Sequence, residues 1–335
     1  MNRILGLTLS AIVALCITGA ARAQTMIRFG SASNSVIISP LLLSQIEPDI
    51  WGKQGIAITV TDFRGNSSNC VAAVIAQAMD VCQVGTTSGT DAIAEGADLK
   101  VIAVNTGPIN EIVLSTKTVE RLGVKPDAPV ADRVRALKGL RIVSSAPGTA
   151  HYVTLTYMLR QVGLQMSDLQ FRTLGDPLAM MQSIRNNAID GALWSIGSLG
   201  GNISDGTGVR WISIPHGDVP ELREVPYVSI YARGDWVQKN PELAAKIQAG
   251  LAEAIDRIKK DTGNPSPRIK ERFFPQLDQA IWDDGYAQAR TAFLPGAKAT
   301  AAGWAQLLKL QEEATKKDYA RAAFDKALLP QARAN

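Results

Sequence analysis

Short apolar segments alternate with amphipathic segments along most of this chain, and that alternation constrains the fold more than any other feature. Runs of the kind that form strands recur at 26–29, 57–60, 81–84, 101–104, 141–143 and 189–193. Segments with apolar residues at helical spacing lie between them, at 36–51, 150–162 and 177–185. Strands that alternate with helices form parallel sheets with helices on both faces. The sequence therefore predicts an α/β protein with mostly parallel sheets.

The alternation occurs in two series, which a polar, proline-bearing stretch at 125–129 separates. A further strand is predicted at 227–231, and the segments after it are helical, at 241–260, 267–274, 278–292 and 300–319. We expect two α/β lobes and a C-terminal group of helices. Lobe 1 would comprise 24–112 and 228–335, and lobe 2 would comprise 113–227. The chain would cross between the lobes near 111–115 and 227–231.

The first 23 residues are typical of a secretory signal peptide. Arg3 precedes an apolar run at 4–17, and the segment ends with Ala21, Arg22 and Ala23, which favours cleavage before Gln24. A membrane anchor is the alternative, but a spanning helix needs about 20 apolar residues. Lipidation of Cys16 is disfavoured because bulky Leu15 precedes it. We expect a soluble protein in a bacterial periplasm.

Composition excludes several classes of function. The formal net charge is only +4, which does not favour a nucleic-acid partner. The chain has two histidines, His151 and His216, and no CxxC pair, so neither a metal site nor a cofactor is expected. Nucleophile elbows, phosphate-binding loops and zinc-protease motifs are absent from the sequence. We therefore expect a binding protein and no catalytic residue, although carboxylate pairs escape such motifs.

Two cysteines, Cys70 and Cys82, remain once the signal peptide is removed. In an oxidising compartment such a pair favours one disulfide. Two buried thiols are the alternative, since free cysteine packs as a small apolar residue.

Five predicted loops that follow strands are small and rich in hydroxyl or amide groups. In open parallel sheets, ligands bind beyond the carboxyl ends of the strands. Several of these loops begin helices, whose N-terminal N–H groups suit a carboxylate or sulfonate. Ordinary helix capping is the alternative for any one loop. The five loops lie at 31–34, 65–68, 85–88, 147–149 and 194–195.

Three larger side chains near these loops need separate interpretation. Trp194 follows the strand at 189–193 and is interpreted either as a wall of a ligand pocket or as sheet–helix packing. Arg64 is the only cation in or next to the loops, and it is either an anion partner or solvated surface. His151 lies one turn into a helix, where it either reaches the cleft or belongs to the core. We expect Asp190 to be either structural or exposed, at the end of its strand opposite the ligand.

The order and spacing of several segments carry a resemblance to a known family. They are the opening strand and loop at 26–34, the turn at 63–66, and the segments 81–86, 137–149, 181–194 and 237–242. With these segments the chain resembles the periplasmic solute-binding proteins of ABC importers, in the nitrate, sulfonate and taurine group. The Cys70 and Cys82 pair is not a general mark of that group.

The resemblance implies a two-lobed periplasmic-binding-protein fold of type II, which closes on its ligand and delivers it to a membrane permease. It places ligand contacts on eight residues of the five loops, which are Ser33, Asn34, Asn66, Thr86, Thr87, Gly148, Thr149 and Trp194. The expected ligand is a small organic anion, and we expect a monomer. The alternative functions are a receptor that signals to a membrane protein and an exported enzyme.

Overall fold

The computed structural model describes residues 24–33 and 35–334, so the predicted signal peptide at 1–23 and the candidate ligand residue Asn34 lie outside the described residues. The strands within this part of the chain are β1 (Thr25–Ser31), β2 (Ile56–Asp62), β3 (Val81–Gly85), β4 (Leu99–Thr106), β5 (Asn110–Ser115), β6 (Ile142–Ser144), β7 (Arg172–Thr173), β8 (Gly191–Ser195), β9 (Gly208–Ser213) and β10 (Val228–Arg233).

Helices fill most of the intervals between the strands and the whole C-terminal part. They are α1 (Ser39–Ile46), α2 (Asp49–Gly52), α3 (Ser67–Ile75), α4 (Thr86–Ala94), α5 (Thr116–Leu122), α6 (Val130–Arg135), α7 (Ala150–Gln161), α8 (Pro177–Arg185), α9 (Gly200–Ser204), α10 (Gly234–Lys239), α11 (Pro241–Lys260), α12 (Pro265–Phe273), α13 (Gln279–Ala292), α14 (Ala301–Thr315) and α15 (Phe324–Ala327). Short 3₁₀ turns join several of them, including one at Val36–Ile38.

The strands form two five-stranded sheets. The first has the order β2-β1-β3-β10-β4, and the second has the order β7-β6-β8-β5-β9. In each sheet one strand is reversed: β10 runs antiparallel to β3 and β4, and β5 runs antiparallel to β8 and β9. These two reversed strands follow the two passages of the chain between the sheets. The sheets are therefore mostly parallel, as predicted.

The predicted crossing points are displaced in the structure. Residues 111–115 lie within β5, and residues 228–231 lie within β10. The chain passes from β4 to β5 through 107–109 and returns from β9 to β10 through 214–227. Sequence patterns missed this because a buried strand that begins directly after a crossing is as apolar as the crossing itself. The lobe boundaries at 112–113 and 227–228 stay a prediction.

The prediction of one continuous helix at 36–51 is wrong. A 3₁₀ turn precedes α1, and α1 ends at Ile46, before Glu47 at φ −122° and ψ 75°. Pro48 follows, and proline disfavours a helical conformation in the residue before it. The chain then begins the short helix α2 at Asp49. The apolar periodicity thus continues across a break that Pro48 imposes.

The second sheet also contacts helix α13 directly. Gly197, after β8, meets Gly285 of α13 so closely that a Cβ on Gly197 would lie 3.0 Å from the Cα of Gly285. Arg210 of β9 donates to Glu111 at 2.9 Å and to Asp284 of α13 at 2.5 Å. The second sheet therefore touches the C-terminal helices at points other than the chain crossings.

Cys70 of α3 and Cys82 of β3 are joined in a disulfide, with Cα atoms 6.0 Å apart. The bond ties the helix to the neighbouring strand, and both side chains are buried. Gly30 of β1 leaves room for it, since a Cβ there would lie 2.7 Å from the Sγ of Cys70.

We expect the double variant Cys70→Ser with Cys82→Ser to lose about 2–3 kcal/mol of unfolding free energy, because the bridge restricts the unfolded chain. Urea unfolding of a chain that begins at Gln24 measures this loss. Thiol labelling of the unfolded, unreduced wild type provides the control and should find no reactive thiol. Two labelled thiols would contradict the bridge.

Among the described helices, none is both long and apolar enough to cross a membrane. Residues 24–33 and 35–334 also contain no group of three or more His, Cys, Asp or Glu side chains placed to hold a metal ion.

Candidate functional site

A cavity of about 350 Å³ lies between the two sheets, where loops that follow parallel strands face each other. The first sheet contributes the loops after β1, β2 and β3, and the second contributes the loops after β6 and β8. The lining residues that the following argument uses are Ser33, Gln83, Thr87, Thr149, His151, Trp194, Ser195 and Tyr227. The cavity is therefore at the edge of the sheets where the sequence predicts a ligand.

Five of the predicted ligand residues come together around this cavity. They are Ser33, Thr87, Thr149, His151 and Trp194. Ser33 and Thr87 follow strands of the first sheet. Thr149 and His151 lie in the loop and helix that follow β6 of the second sheet, and Trp194 lies in β8. Residues that lie more than 150 positions apart in the chain thus face one space. Their roles in binding remain proposals.

The other candidates lie elsewhere. Arg64 is exposed and stands outside the lining, with its backbone N–H held by the carboxylate of Asp62 at 2.8 Å. Asn66 caps α3, since its side-chain oxygen accepts from the N–H of Asn69 at 2.9 Å. Its position fits the ordinary capping alternative, and that of Arg64 fits solvated surface.

Thr86 and Gly148 also stand outside the cavity lining. Thr86 is fully buried, and its hydroxyl pairs with that of Ser229 on β10 at 2.8 Å. This contact fixes the beginning of α4 against the reversed strand. Gly148 has a φ of 84°, which suits the turn before α7, and it borders a separate groove with Thr149.

Tyr227 and Gln83 line the cavity but were not predicted as ligand residues. Tyr227 lies at the end of the return crossing, and Gln83 lies within β3. A polar glutamine at a fully buried strand position, between Cys82 and Val84, is the one sequence signal that points to Gln83. Nothing in the local sequence indicates that Tyr227 meets α7.

His151 forms a compact aromatic group with Trp194 and Tyr227. The rings of His151 and Trp194 stack, with centroids 4.4 Å apart and planes inclined by 6°. The Nε2 of His151 lies 3.0 Å from the Oγ of Ser195 and 2.8 Å from the Oη of Tyr227. Burial lowers the pKa of His151 to about 3 and raises the pKa of Tyr227. Both rings are therefore neutral at pH 7.

The cavity offers hydrogen-bond donors without fixed side-chain charge. Of the residues at 24–33 and 35–334, no Asp, Glu, Lys or Arg belongs to its lining. The N-termini of α3, α4 and α7 begin at or next to lining residues, and helix N-termini carry partial positive charge. The side chains of Asn66 and Thr149 cap α3 and α7, whereas Gly85, the residue before α4, provides no side-chain cap.

A sequence model of the NMT1-like family matches residues 35–267, which is more than half of the chain. The chain belongs to the NMT1-like family. No curated protein matches the sequence.

Solved structures resemble this NMT1-like chain in fold. The periplasmic aliphatic sulphonate binding protein SsuA of Escherichia coli has a TM-score of 0.68 at 16% identity, over 89% of this chain and 96% of that one. The alkanesulfonate-binding protein SsuA of Xanthomonas axonopodis pv. citri, bound to MOPS, has a TM-score of 0.64 at 17% identity, over 86% and 90%. The nitrate-binding protein NrtA of Synechocystis PCC 6803 has a TM-score of 0.60 at 17% identity, over 79% and 70%. These likenesses confirm the predicted two-lobed periplasmic-binding-protein fold.

Asp190 of this NMT1-like protein is structural, at the beginning of β8 and away from the cavity lining. It accepts hydrogen bonds from the backbone N–H of Arg141 at 2.8 Å, from the Nη2 of Arg141 at 3.0 Å and from Arg121 at 3.0 Å. Burial opposes its charge, but these hydrogen bonds hold the pKa of Asp190 well below its ordinary value. The carboxylate ties α5 and β6 to β8.

The neutral state of His151 predicts a specific loss of stability in acid. An unfolded histidine has a pKa of about 6.5, and burial lowers the pKa of His151 in the folded protein to about 3. Stability from this group is therefore complete above pH 6.5 and falls as the pH drops toward 3, because only the unfolded chain binds the proton.

We expect the unfolding free energy of the wild type to fall between pH 7.5 and pH 5 by about 1–2 kcal/mol more than that of His151→Gln. Urea unfolding of both proteins at the two pH values measures the difference. Equal pH slopes in the two proteins would mean that His151 has the same pKa in the folded and unfolded states.

Proposed function

We propose that this protein is an extracytoplasmic solute-binding protein that holds a small organic anion between its two lobes and delivers it to an ABC permease. The observation that carries the proposal is the cavity between the two sheets. It combines hydroxyl groups and an uncapped helix N-terminus with a stacked aromatic wall, and its described lining has no charged side chain. Such a site favours a carboxylate or sulfonate group attached to a small apolar or aromatic body.

The fold comparisons support this proposal. Two of the similar structures are sulfonate-binding proteins, and a third is a nitrate-binding protein. The E. coli and Synechocystis proteins are periplasmic. The apolar run at 4–17, followed by the small-residue ending at Ala21, Arg22 and Ala23, supports export of the present chain as well.

We propose that lobe 1 comprises 24–112 and 228–335, and that lobe 2 comprises 113–227. The described cavity-lining residues come from both. Tyr227 meets His151 at this boundary, because Tyr227 immediately precedes β10 of the first sheet while His151 lies in α7. A ligand that contacts both lobes stabilises the closed arrangement by interactions that the open arrangement lacks. Binding therefore drives closure.

The geometry of the site fits ligand binding better than catalysis. Ser195 and His151 lie 3.0 Å apart, as a nucleophile and its base do in hydrolases. However, burial lowers the pKa of His151 to about 3, far below the value of an efficient base at neutral pH. Among the described residues, the other side chain at its ring nitrogens is the hydroxyl of Tyr227, which is not the carboxylate that orients a catalytic histidine.

The first test is a thermal-shift screen of the chain from Gln24 against butane-1-sulfonate, butyrate, benzoate and nitrate, with spermidine and glucose as controls. A ligand that binds only the folded state raises the melting temperature. We expect a rise with at least one organic anion and none with spermidine. Mass analysis of the recovered ligand should find it unchanged. A response to spermidine or glucose alone, or conversion of the ligand, would contradict the proposal.

A further inference from the structure

Gln83 carries a hydrogen-bond donor that the protein itself does not use. Its side chain is buried within β3, and it belongs to the lining of the cavity. The amide of Asn105 on β4 donates to the Oε1 of Gln83 at 2.8 Å. The Nε2 of Gln83 has no hydrogen-bond partner among residues 24–33 and 35–334. A buried amide donor without a partner destabilises the unliganded protein.

The Gln83 amide is oriented by its contact with Asn105. The Nδ2 of Asn105 donates to the oxygen of Gln83, so the two N–H groups of Gln83 face away from Asn105. The Oδ1 of Asn105 has no partner among the described residues either. Val81, two residues before on the same face of β3, and Ile230 on the neighbouring strand are fully buried apolar residues. They offer no side-chain acceptor to Nε2.

A second set of free donors lies close by in the sequence. α4 begins three residues after Gln83, at Thr86, and Gly85 provides no side-chain cap. The first N–H groups of a helix have no partner within it. The backbone N–H of Thr86 is satisfied by the carbonyl of Tyr227 at 2.9 Å, whereas Thr87 and Ser88 belong to the cavity lining. The end of β3 and the start of α4 thus present donors to the same cavity.

We propose that the Nε2 of Gln83 donates directly to an oxygen of the ligand's anionic group, and that this group lies at the N-terminus of α4. The inference rests on the proposed anion-binding function and adds the residue that selects the ligand's charge. The donors are neutral, so the site accepts one negative charge. A second anionic group has no cation to meet it in the described lining. Monoanions therefore bind more tightly than dianions of similar size.

The test compares wild type, Gln83→Met and Gln83→Glu by calorimetry with butane-1-sulfonate, butyrate, benzoate and the dianion succinate. Methionine keeps the length of the side chain and removes the donor. Glutamate keeps an acceptor for Asn105 and replaces the donor with a charge. Gln248→Met provides the matched control, because Gln248 is a buried glutamine of α11 that donates to the carbonyl of Gly296, away from the cavity.

We expect Gln83→Met to weaken the monoanion that wild type binds best by about ten- to hundredfold, as expected for a lost hydrogen bond to a charged group. Gln248→Met should bind like wild type. Gln83→Glu should not bind the monoanion at pH 8. It should regain affinity toward pH 5.5, since a protonated carboxyl again has a donor. Wild type should show no such recovery. Unfolding temperatures of every variant separate lost binding from lost folding.

Three outcomes would overturn the inference. If folded Gln83→Met and wild type bind the monoanion equally well, Gln83 does not contact the ligand, and the proposed function still stands. Tighter binding of succinate than of butyrate by wild type would contradict the single-charge rule. If wild type binds none of the anions, the proposed function fails, and this inference fails with it.

Discussion

Thr149→Ala combined with Trp194→Ala should weaken binding of the preferred anion by roughly a hundredfold or more, because the pair removes both an aromatic wall and a hydroxyl of the cavity. Trp194 stacks on His151, so its loss also removes the support of that ring. Thr149 caps α7, which limits the expected cost in stability to about 1 kcal/mol for that substitution. Calorimetry measures the affinity, and small-angle scattering with and without ligand measures closure.

The matched control changes the same residue types outside the cavity. Thr300 caps α14 through the N–H of Gly303, and Trp236 lies on α10. Thr300→Ala with Trp236→Ala should bind the anion as wild type does and become more compact with ligand. If the cavity variant, still folded, keeps wild-type affinity, then Thr149 and Trp194 do not form the ligand site.

Gly303→Val should produce the largest loss of stability, at least about 3 kcal/mol, through steric overlap with the main chain. A Cβ at Gly303 would lie 2.1 Å from the backbone oxygen of Glu224, in the return crossing at 214–227. A rotamer change cannot relieve contact with a backbone atom. Either α14 or the crossing must move, and Trp304 beside it is fully buried. Urea unfolding of the variant measures the loss.

Gly52→Ala is the matched control for that substitution. Gly52 ends the short helix α2, and the nearest atom to its added Cβ is 3.5 Å away on the side chain of Gln24. Alanine there should be neutral or stabilise by up to about 1 kcal/mol, since it restricts the unfolded chain. A loss of less than 1 kcal/mol in Gly303→Val would show that the packing of α14 against the crossing yields easily.

Much of the fold is predictable from this sequence because strand and helix periodicities differ clearly. The helix predicted at 241–260 has the bounds of α11, where Pro241 starts the helix and a wide apolar stripe faces the core. The direction of each strand within its sheet is harder to predict from the sequence. β5 and β10 are apolar like their parallel neighbours, and only the path of the chain between the sheets sets their direction.

The candidate site is predictable to the level of loops but not of single side chains. Ser33 and Thr149 follow strands, and the rule that ligands bind at strand ends places them near a common cavity. The rule does not say which neighbour faces inward. Thr86 bonds to Ser229 while Thr87 lines the cavity, although both have the same side chain. Tyr227 reaches His151 across 76 positions, a contact that no local pattern indicates.

The close approach of Gly197 and Gly285 has a mechanical consequence. The two backbones cannot come closer at this point, so we expect the proposed closure of the lobes to be a rotation that leaves this contact in place. In such a rotation, displacement grows with distance from the contact. A small rotation would therefore open the far rim of the cleft widely. Any side chain at either glycine would act as a wedge and change the angle at which the molecule comes to rest.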